Sequence, residues 1–276
     1  MSRRDLAGAT VLISGAGGGL GAALCHGFAA AGARIAALDV DAARLQALVA
    51  ALQAQGAAAL ALPCEVTDAD ACAAAVAAAQ AHFGAVDGLI NNAGISQRSL
   101  LRDTAPEVMR RVMAVNFFGA LHLTHAALPQ LLARRGFIVA VSSVAGYAPL
   151  IGRSGYAASK HALHGFFDSL RSEVETQGVD VTLVCPSFIR TGIATAAVDG
   201  SGGAARTPRL TPGGESSPQE IAVRIRDAVV ARRRLLLPDR TSRLAWWLSR
   251  LAPDTYARIM RRRAGAEFIA APGADS

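Results

Sequence analysis

Ser14–Gly21 reads SGAGGGLG and stands between an apolar, β-rich run, Thr10–Ser14, and a stretch of helical periodicity near 19–31. Glycines at such a strand-to-helix junction let the backbone turn tightly and approach a bound pyrophosphate, whose charge is favoured at the helix N-terminus. A glycine run alone is a weak signal, but one between a strand and a helix in a first βαβ unit is much stronger. Asp39 ends the next apolar run, 18 residues beyond Gly21. A carboxylate there can accept both adenosine ribose hydroxyls and repels a 2′-phosphate. Val40 follows it and Gly18 leaves the turn without a basic side chain, so NAD is expected rather than NADP.

Outward from this turn the pattern repeats. Candidate strands are 10–14, 34–39, 58–62, 86–90, 137–142, 180–185 and 235–237, alternating with helical stretches near 19–31, 41–55, 68–82, 105–134, 155–177 and 218–232. The strand runs are continuously apolar, as for strands buried on both faces. Capping boxes are expected at Thr67/Asp70, Thr104/Glu107 and Ser217/Glu220, the last with Pro218 at the first helical position. The fold class is therefore α/β: a single doubly wound, Rossmann-type parallel sheet of about seven strands with helices on both faces, plus a C-terminal helical extension. Residues 1–237 form one catalytic domain. The glycine-rich 192–217, long for a connection in so compact a fold, is expected to be a substrate lid. Residues 238–276 form a basic extension.

The 276 residues are 52% hydrophobic and 18% charged, ample for a large core. The net charge of +7 is concentrated at the end, where residues 232–276 carry ten arginines against four carboxylates. No nucleic-acid reading module accompanies this charge, so no nucleic acid partner is expected. Cys25, Cys64, Cys72 and Cys185 lie apart in apolar runs, as reduced, buried thiols of a cytoplasmic protein do. The pairs His122/His125 and His161/His164 lack a nearby acidic or cysteine ligand and are read as helix-surface or interface histidines, with no metal site. No segment reads as a transmembrane span. A signal peptide is not expected either, because GAGGGLG and His26 break the apolar run after Arg3 and Arg4.

SGYAASKHALHGFF (Ser154–Phe167) places Tyr156 and Lys160 one helical turn apart on one face. NNAG (Asn91–Gly94) follows the fourth strand, Asn116 lies in the long helix, Ser143 follows the fifth strand, and CPSFIRT (Cys185–Thr191) ends the sixth. In order and spacing these motifs resemble the short-chain dehydrogenase/reductase family over roughly residues 8–237, most closely its hydroxysteroid-dehydrogenase-type branch.

The resemblance implies a catalytic set of Asn116, Ser143, Tyr156 and Lys160. Tyr156 is the implied general acid/base, Ser143 holds the substrate oxygen, Lys160 holds the nicotinamide ribose and lowers the phenol's pKa, and Asn116 anchors a water that relays protons to Lys160. A free phenol titrates near ~10, so a shift of about 3 units requires roughly 4 kcal/mol of preferential phenolate stabilisation. The implied cofactor contacts are Ser14, Gly15, Gly19, Leu20, Gly21, Asp39, Glu65, Val66, Asn92, Ala93, Gly94, Tyr156, Lys160, Pro186, Ile189 and Thr191. Ser187 stands where the family usually has Gly, and Glu65 where it usually has Asp.

The expected activity is NAD-dependent interconversion of a secondary alcohol and a ketone, with a bulky, apolar, steroid-like substrate. A 3-oxoacyl thioester reductase and a non-catalytic dinucleotide sensor are the alternatives. Apolar residues on several faces of the long helices, including Phe117, Phe118, Phe166 and Phe167, point to a homodimer or homotetramer. In the extension, Leu244, Trp247, Leu248 and Leu251 form a stripe flanked by Arg243 and Arg250. It is expected to pack on protein, over the pocket or on a neighbouring subunit, in preference to lying on an anionic membrane.

Overall fold

The computed structural model describes residues 3–148, 150–190, 197–205 and 214–264. Among these, β1 (Thr10–Ser14), β2 (Arg34–Asp39), β3 (Ala59–Pro63), β4 (Gly88–Asn91), β5 (Phe137–Val141), β6 (Asp180–Val184) and β7 (Leu235–Leu236) form one parallel sheet. Their order is β3-β2-β1-β4-β5-β6-β7. The chain winds outward to β3, returns past β1 to β4, and builds the other half. The order therefore reverses between β1 and β4, where Val11 pairs with Ile35 on one side and Gly88 on the other.

Alternate residues of each buried strand feed opposite cores. Val11, Ile13, Ile35 and Val139 pack beneath α1 (Gly19–Ala29), α2 (Ala42–Ala54) and α7 (Pro218–Val230). Leu12, Leu38, Leu89 and Ile138 face α3 (Ala69–Phe83), α5 (Gly119–Arg134) and α6 (Ser154–Val174). Both faces are thus covered by helices, which accounts for the unbroken apolar strands.

The long helix expected over 105–134 is interrupted. α4 (Pro106–Met113) passes into a π-helical turn, Ala114–Phe118, where the Gly119 amide donates to the Ala114 carbonyl, before α5 begins. By length and composition Pro106–Arg134 could cross a membrane. In the fold α4 packs on α6, and α5 lies along α3 and β4.

Two of the three expected caps differ. The side chain of Asp68, not Thr67, caps α3, accepting from the Asp70 and Ala71 amides. Ala105 caps α4 without a side-chain bond, because the Thr104 hydroxyl donates to the Leu100 carbonyl instead. Ser217/Glu220 forms its capping box, and Asp239/Ser242 forms an unanticipated one at the start of α8 (Arg240–Leu251).

α8 and α9 (Pro253–Ala264) fold back over the C-terminal edge of the sheet. Ala245 and Tyr256 bury against Val144 and Ala148, and the Tyr147 hydroxyl donates to the Ser242 carbonyl at 2.7 Å. The expected stripe is divided: Leu248 packs partly on this cluster, while Leu244, Trp247 and Leu251 are exposed. Of the segment read as a lid, 197–205 packs on the loop after β4, with Val198 pairing Gln97 and burying against Val108 and Val112. Residues 192–196 and 206–213 of that segment lie outside the described residues.

Candidate active site

Two loops meet at the point where the strand order reverses. The Ser14 hydroxyl accepts from the amides of Asn92 and Ala93 at 3.0 and 3.1 Å, and the Asn92 side chain donates to the carbonyls of Ser14 and Gly15 at 2.9 and 3.2 Å. Glycine is required at two positions of this joint. Gly15 has φ +65°, and a Cβ there would lie 2.9 Å from the Ala93 Cα. A Cβ on Gly21 would lie 2.0 Å from the Gly15 carbonyl oxygen, so the first turn of α1 rests directly on the backbone of the loop.

Gly18 caps α1 with no side-chain bond, and no acidic residue occupies the first turn. The helix therefore presents free amides and a positive end to the cavity that Gly17, Gly18, Gly19 and Leu20 line. This is an anion cradle that fits a pyrophosphate. At its edge the Asp39 carboxylate is held by the Gly17 amide at 2.8 Å and the Asp41 amide at 2.9 Å. Glu65 and Val66 line the same end. One Glu65 oxygen accepts from both the amide and the hydroxyl of Thr67, so this carboxylate also closes its own turn.

The cavity, about 1250 Å³, continues from the cradle past Gly94 to Ser143, Tyr156 and Lys160, and Pro186 and Ile189 form part of its wall. Ser14 and Asn116 stand behind the wall, and Thr191 lies outside the described residues. Lys160 is 4% exposed; its Nζ donates to the Val141 carbonyl at 2.8 Å and sits 5.8 Å from the centre of the Tyr156 ring. Burial pushes the Lys160 ammonium down to about 8. Ser143 lies two residues past β5, with its hydroxyl accepting from the Ala145 amide at 3.2 Å.

Asn116 sits in the π-helical turn between α4 and α5. Its amide side chain accepts from the Ile95 amide and donates to the Ile95 carbonyl and the Ser159 hydroxyl, at 2.8, 3.0 and 2.9 Å. The side chain thereby pins the loop after β4 to α6. The π-turn that carries Asn116 widens the helix at this point, a feature common beside functional sites.

Several participants escaped the sequence reading. His164, read as a surface or interface histidine, lies one turn beyond Lys160 and contacts the Ser142 hydroxyl at 3.1 Å and the Cys185 thiol at 3.4 Å. Burial pushes its imidazole down to about 4 and the Cys185 thiol up to about 12, so both stay neutral around pH 7. The Ser142 hydroxyl donates to the Lys160 carbonyl, which ties this cluster to α6. Asp239 accepts from the Ser187 amide at 3.0 Å while capping α8, joining the loop after β6 to the extension. Arg44 lines the cavity beside Asp39, paired with Asp41 at 3.1 Å. At the far end Arg98, Arg111 and Arg153 join Leu150, Ile151, Leu248 and Met260 in the wall. The glycine pattern, Asp39, NNAG, Ser143, the Tyr–Lys spacing and CPSFIRT announced this site in the sequence. His164 and Asp239 carry no local signal.

A glycine turn under an uncapped helix, at the reversal point of a parallel sheet, with a carboxylate at the end of the second strand, defines a Rossmann-type dinucleotide-binding protein. The sequence profile of the short chain dehydrogenase family matches residues 9–201. Dehydrogenase/reductase SDR family member 7B of Bos taurus is 41% identical over 267 residues, covering 94% of this chain and 82% of that protein. The SDR family protein 7-like of Anopheles gambiae is 37% identical, over 95% of this chain and 84% of its own length. Among solved structures, a short-chain dehydrogenase/reductase from Burkholderia phymatum in complex with NAD superposes with a TM-score of 0.79 at 26% identity, covering 99% of both chains. A metagenomic short-chain oxidoreductase in complex with NADP superposes with a TM-score of 0.70 at 28% identity, over 85% of this chain and 98% of its own. The chain belongs to the short-chain dehydrogenase/reductase family, and is an oxidoreductase built to bind a nicotinamide dinucleotide.

Proposed function

We propose that this protein interconverts a secondary alcohol and a ketone with NAD(H), on a bulky, apolar substrate. The observation that carries the reading is the continuity of one cavity from the glycine cradle to Ser143, Tyr156 and Lys160. When bound, the dinucleotide supplies the hydride chemistry. Gly15, Gly19, Leu20 and Gly21 would hold its pyrophosphate, and Asp39 its adenosine ribose. Glu65 and Val66 would border the adenine, and Asn92, Ala93, Gly94, Pro186 and Ile189 the nicotinamide half. The Tyr156 hydroxyl moves the proton to or from the substrate oxygen, which Ser143 Oγ holds by a hydrogen bond. The Lys160 ammonium favours negative charge on the phenol oxygen as that proton leaves. Asn116 keeps the loop after β4 and the catalytic helix in register.

The apolar wall of Leu150, Ile151, Leu248 and Met260 supports the substrate class. The arginines there support a second reading, a 3-oxoacyl thioester reductase, whose substrate carries phosphate on its carrier. A turnover screen of hydroxysteroids, alkanols and acyl thioesters separates the two.

Asp39 supports NAD over NADP, since its carboxylate repels a 2′-phosphate. Binding titrations should show NAD(H) the tighter ligand, with the order reversed in Asp39→Ala/Val40→Arg; an unmodified protein that prefers NADP(H) refutes this choice. Tyr156→Phe should cut turnover by about 10²–10⁴ while NADH affinity stays within a few-fold, and near-normal turnover in that variant rules out the mechanism. The buried free thiols support a cytoplasmic setting. Phe118, exposed beside Phe117, supports a homodimer or homotetramer, which sedimentation at micromolar concentration reads directly.

A further inference from the structure

Helix α8 has a face that the fold leaves uncovered. Leu244, Trp247 and Leu251, spaced by three and four residues, are 67%, 61% and 76% exposed. One flank of this stripe carries Arg243 and Arg250, both exposed. The other flank carries Thr241 and Leu248, which line the cavity. Leu244 belongs both to the stripe and to the cavity wall, so the cavity opens beside the stripe. The next helix extends the same character, with Ile259 and Met260 in the wall and Arg258, Arg261 and Arg262 exposed.

We propose that the outer face of α8 and α9 seats on an anionic lipid surface, with the mouth of the cavity against it. An exposed leucine–tryptophan stripe beside arginines is the chemistry of a helix lying in a headgroup layer, its apolar side chains among acyl chains and its cations on phosphates. Charge decides between this occupant and a second copy of the chain. Six exposed arginines on α8 and α9, from Arg240 to Arg262, face a single carboxylate, Asp254. A two-fold contact through this face would set arginines against arginines, because such an interface repeats the same patch on both sides. An anionic surface instead sets phosphates against arginines, and each one brought close strengthens binding by about fivefold.

The proposal does not depend on the substrate or on turnover. Its test is co-sedimentation of the full chain with vesicles of phosphatidylcholine alone and with added phosphatidylglycerol. The expected result is binding at least tenfold stronger to the anionic vesicles, weakened by salt. Trp247→Ser/Leu251→Ser should lose that binding at least tenfold, with unchanged circular dichroism and melting temperature, because neither side chain is buried. Absence of binding by the parent protein at low salt overturns the proposal. So does equal binding by the double variant. A parent dimer that the double variant converts to monomer would identify a second copy as the occupant and overturn it as well.

Discussion

At the scale of single residues, the proposed chemistry rests on a lysine held where a cation is costly. Lys160 donates to the Val141 carbonyl and is almost wholly buried, which brings its ammonium down to about 8 from the ordinary 10.5. The folded state therefore binds fewer protons than the unfolded state between these two values. Stability follows the difference in bound protons, so this group penalises folding fully below about pH 8, and the penalty is relieved as pH rises toward 10.5. The full span is on the order of 3 kcal/mol. Lys160→Met removes it: on passing from pH 7 to pH 10 the melting temperature of the parent should gain on that of the variant. Parallel melting curves across this range would refute the burial argument. The identities of Tyr156 and Lys160 and their spacing were legible because both belong to one helix. The Val141 carbonyl and His164 were not, because their meeting requires β5 and α6 to be docked.

At the scale of elements, the first βα unit tolerates no side chain at Gly21. A Cβ there would meet the carbonyl oxygen of Gly15 at 2.0 Å, backbone against backbone, whereas the nearest atom to a Cβ on Gly18 is 3.4 Å away. Gly21→Ala must push α1 off the loop, at a cost of about 1–3 kcal/mol or more. It should also weaken dinucleotide binding at least tenfold in titration, and Gly18→Ala should do neither. Equal effects of the two substitutions would show that loop flexibility, not close approach, sets the requirement. Cap positions show how local a sequence signal must be to be read correctly. The Ser217 box, with Pro218 and Glu220 in place, forms as expected. Near Thr67 two adjacent residues could each cap α3, and the backbone favours Asp68, whose oxygen reaches two amides. Thr104 is drawn away by the Leu100 carbonyl and the Ser99 hydroxyl.

At the scale of the whole molecule, the extension is a structural wall of the cavity. Ala245 and Tyr256 complete a small core with Val144 and Ala148 at the end of β5, and Trp246 stacks edge-on against Tyr147 with ring centres 4.8 Å apart. The same loop carries Ser143, so the extension braces the residue proposed to hold the substrate oxygen. Deleting residues 240–276 should lower the melting temperature by at least about 5 °C. It should also reduce turnover beyond what thermal inactivation explains, because the cavity loses Leu248 and Met260 and the Ser143 loop loses its brace. A truncated protein with unchanged melting and turnover would show that the extension only leans on the core.

The amino-acid sequence by itself determined the order of the elements, the class of fold and the chemistry at each strand end. These are written in short-range terms: glycines at one turn, β-rich runs between helical periods, a tyrosine and a lysine one turn apart. Tertiary structure alone decided that Ser14 and Asn92 interlock, that Asn116 turns inward to pin Ile95, and that Asp239 holds the loop after β6. Each of these pairs residues far apart in the chain, and hydrogen bonds between such residues exist only once the strands are laid side by side. The extension shows the same division within one helix. α8 carries apolar residues on both sides, and periodicity marks a helix without saying which side is covered. The neighbours Val144, Tyr147 and Ala148 take Ala245, Trp246 and Leu248, and by doing so turn Leu244, Trp247 and Leu251 outward.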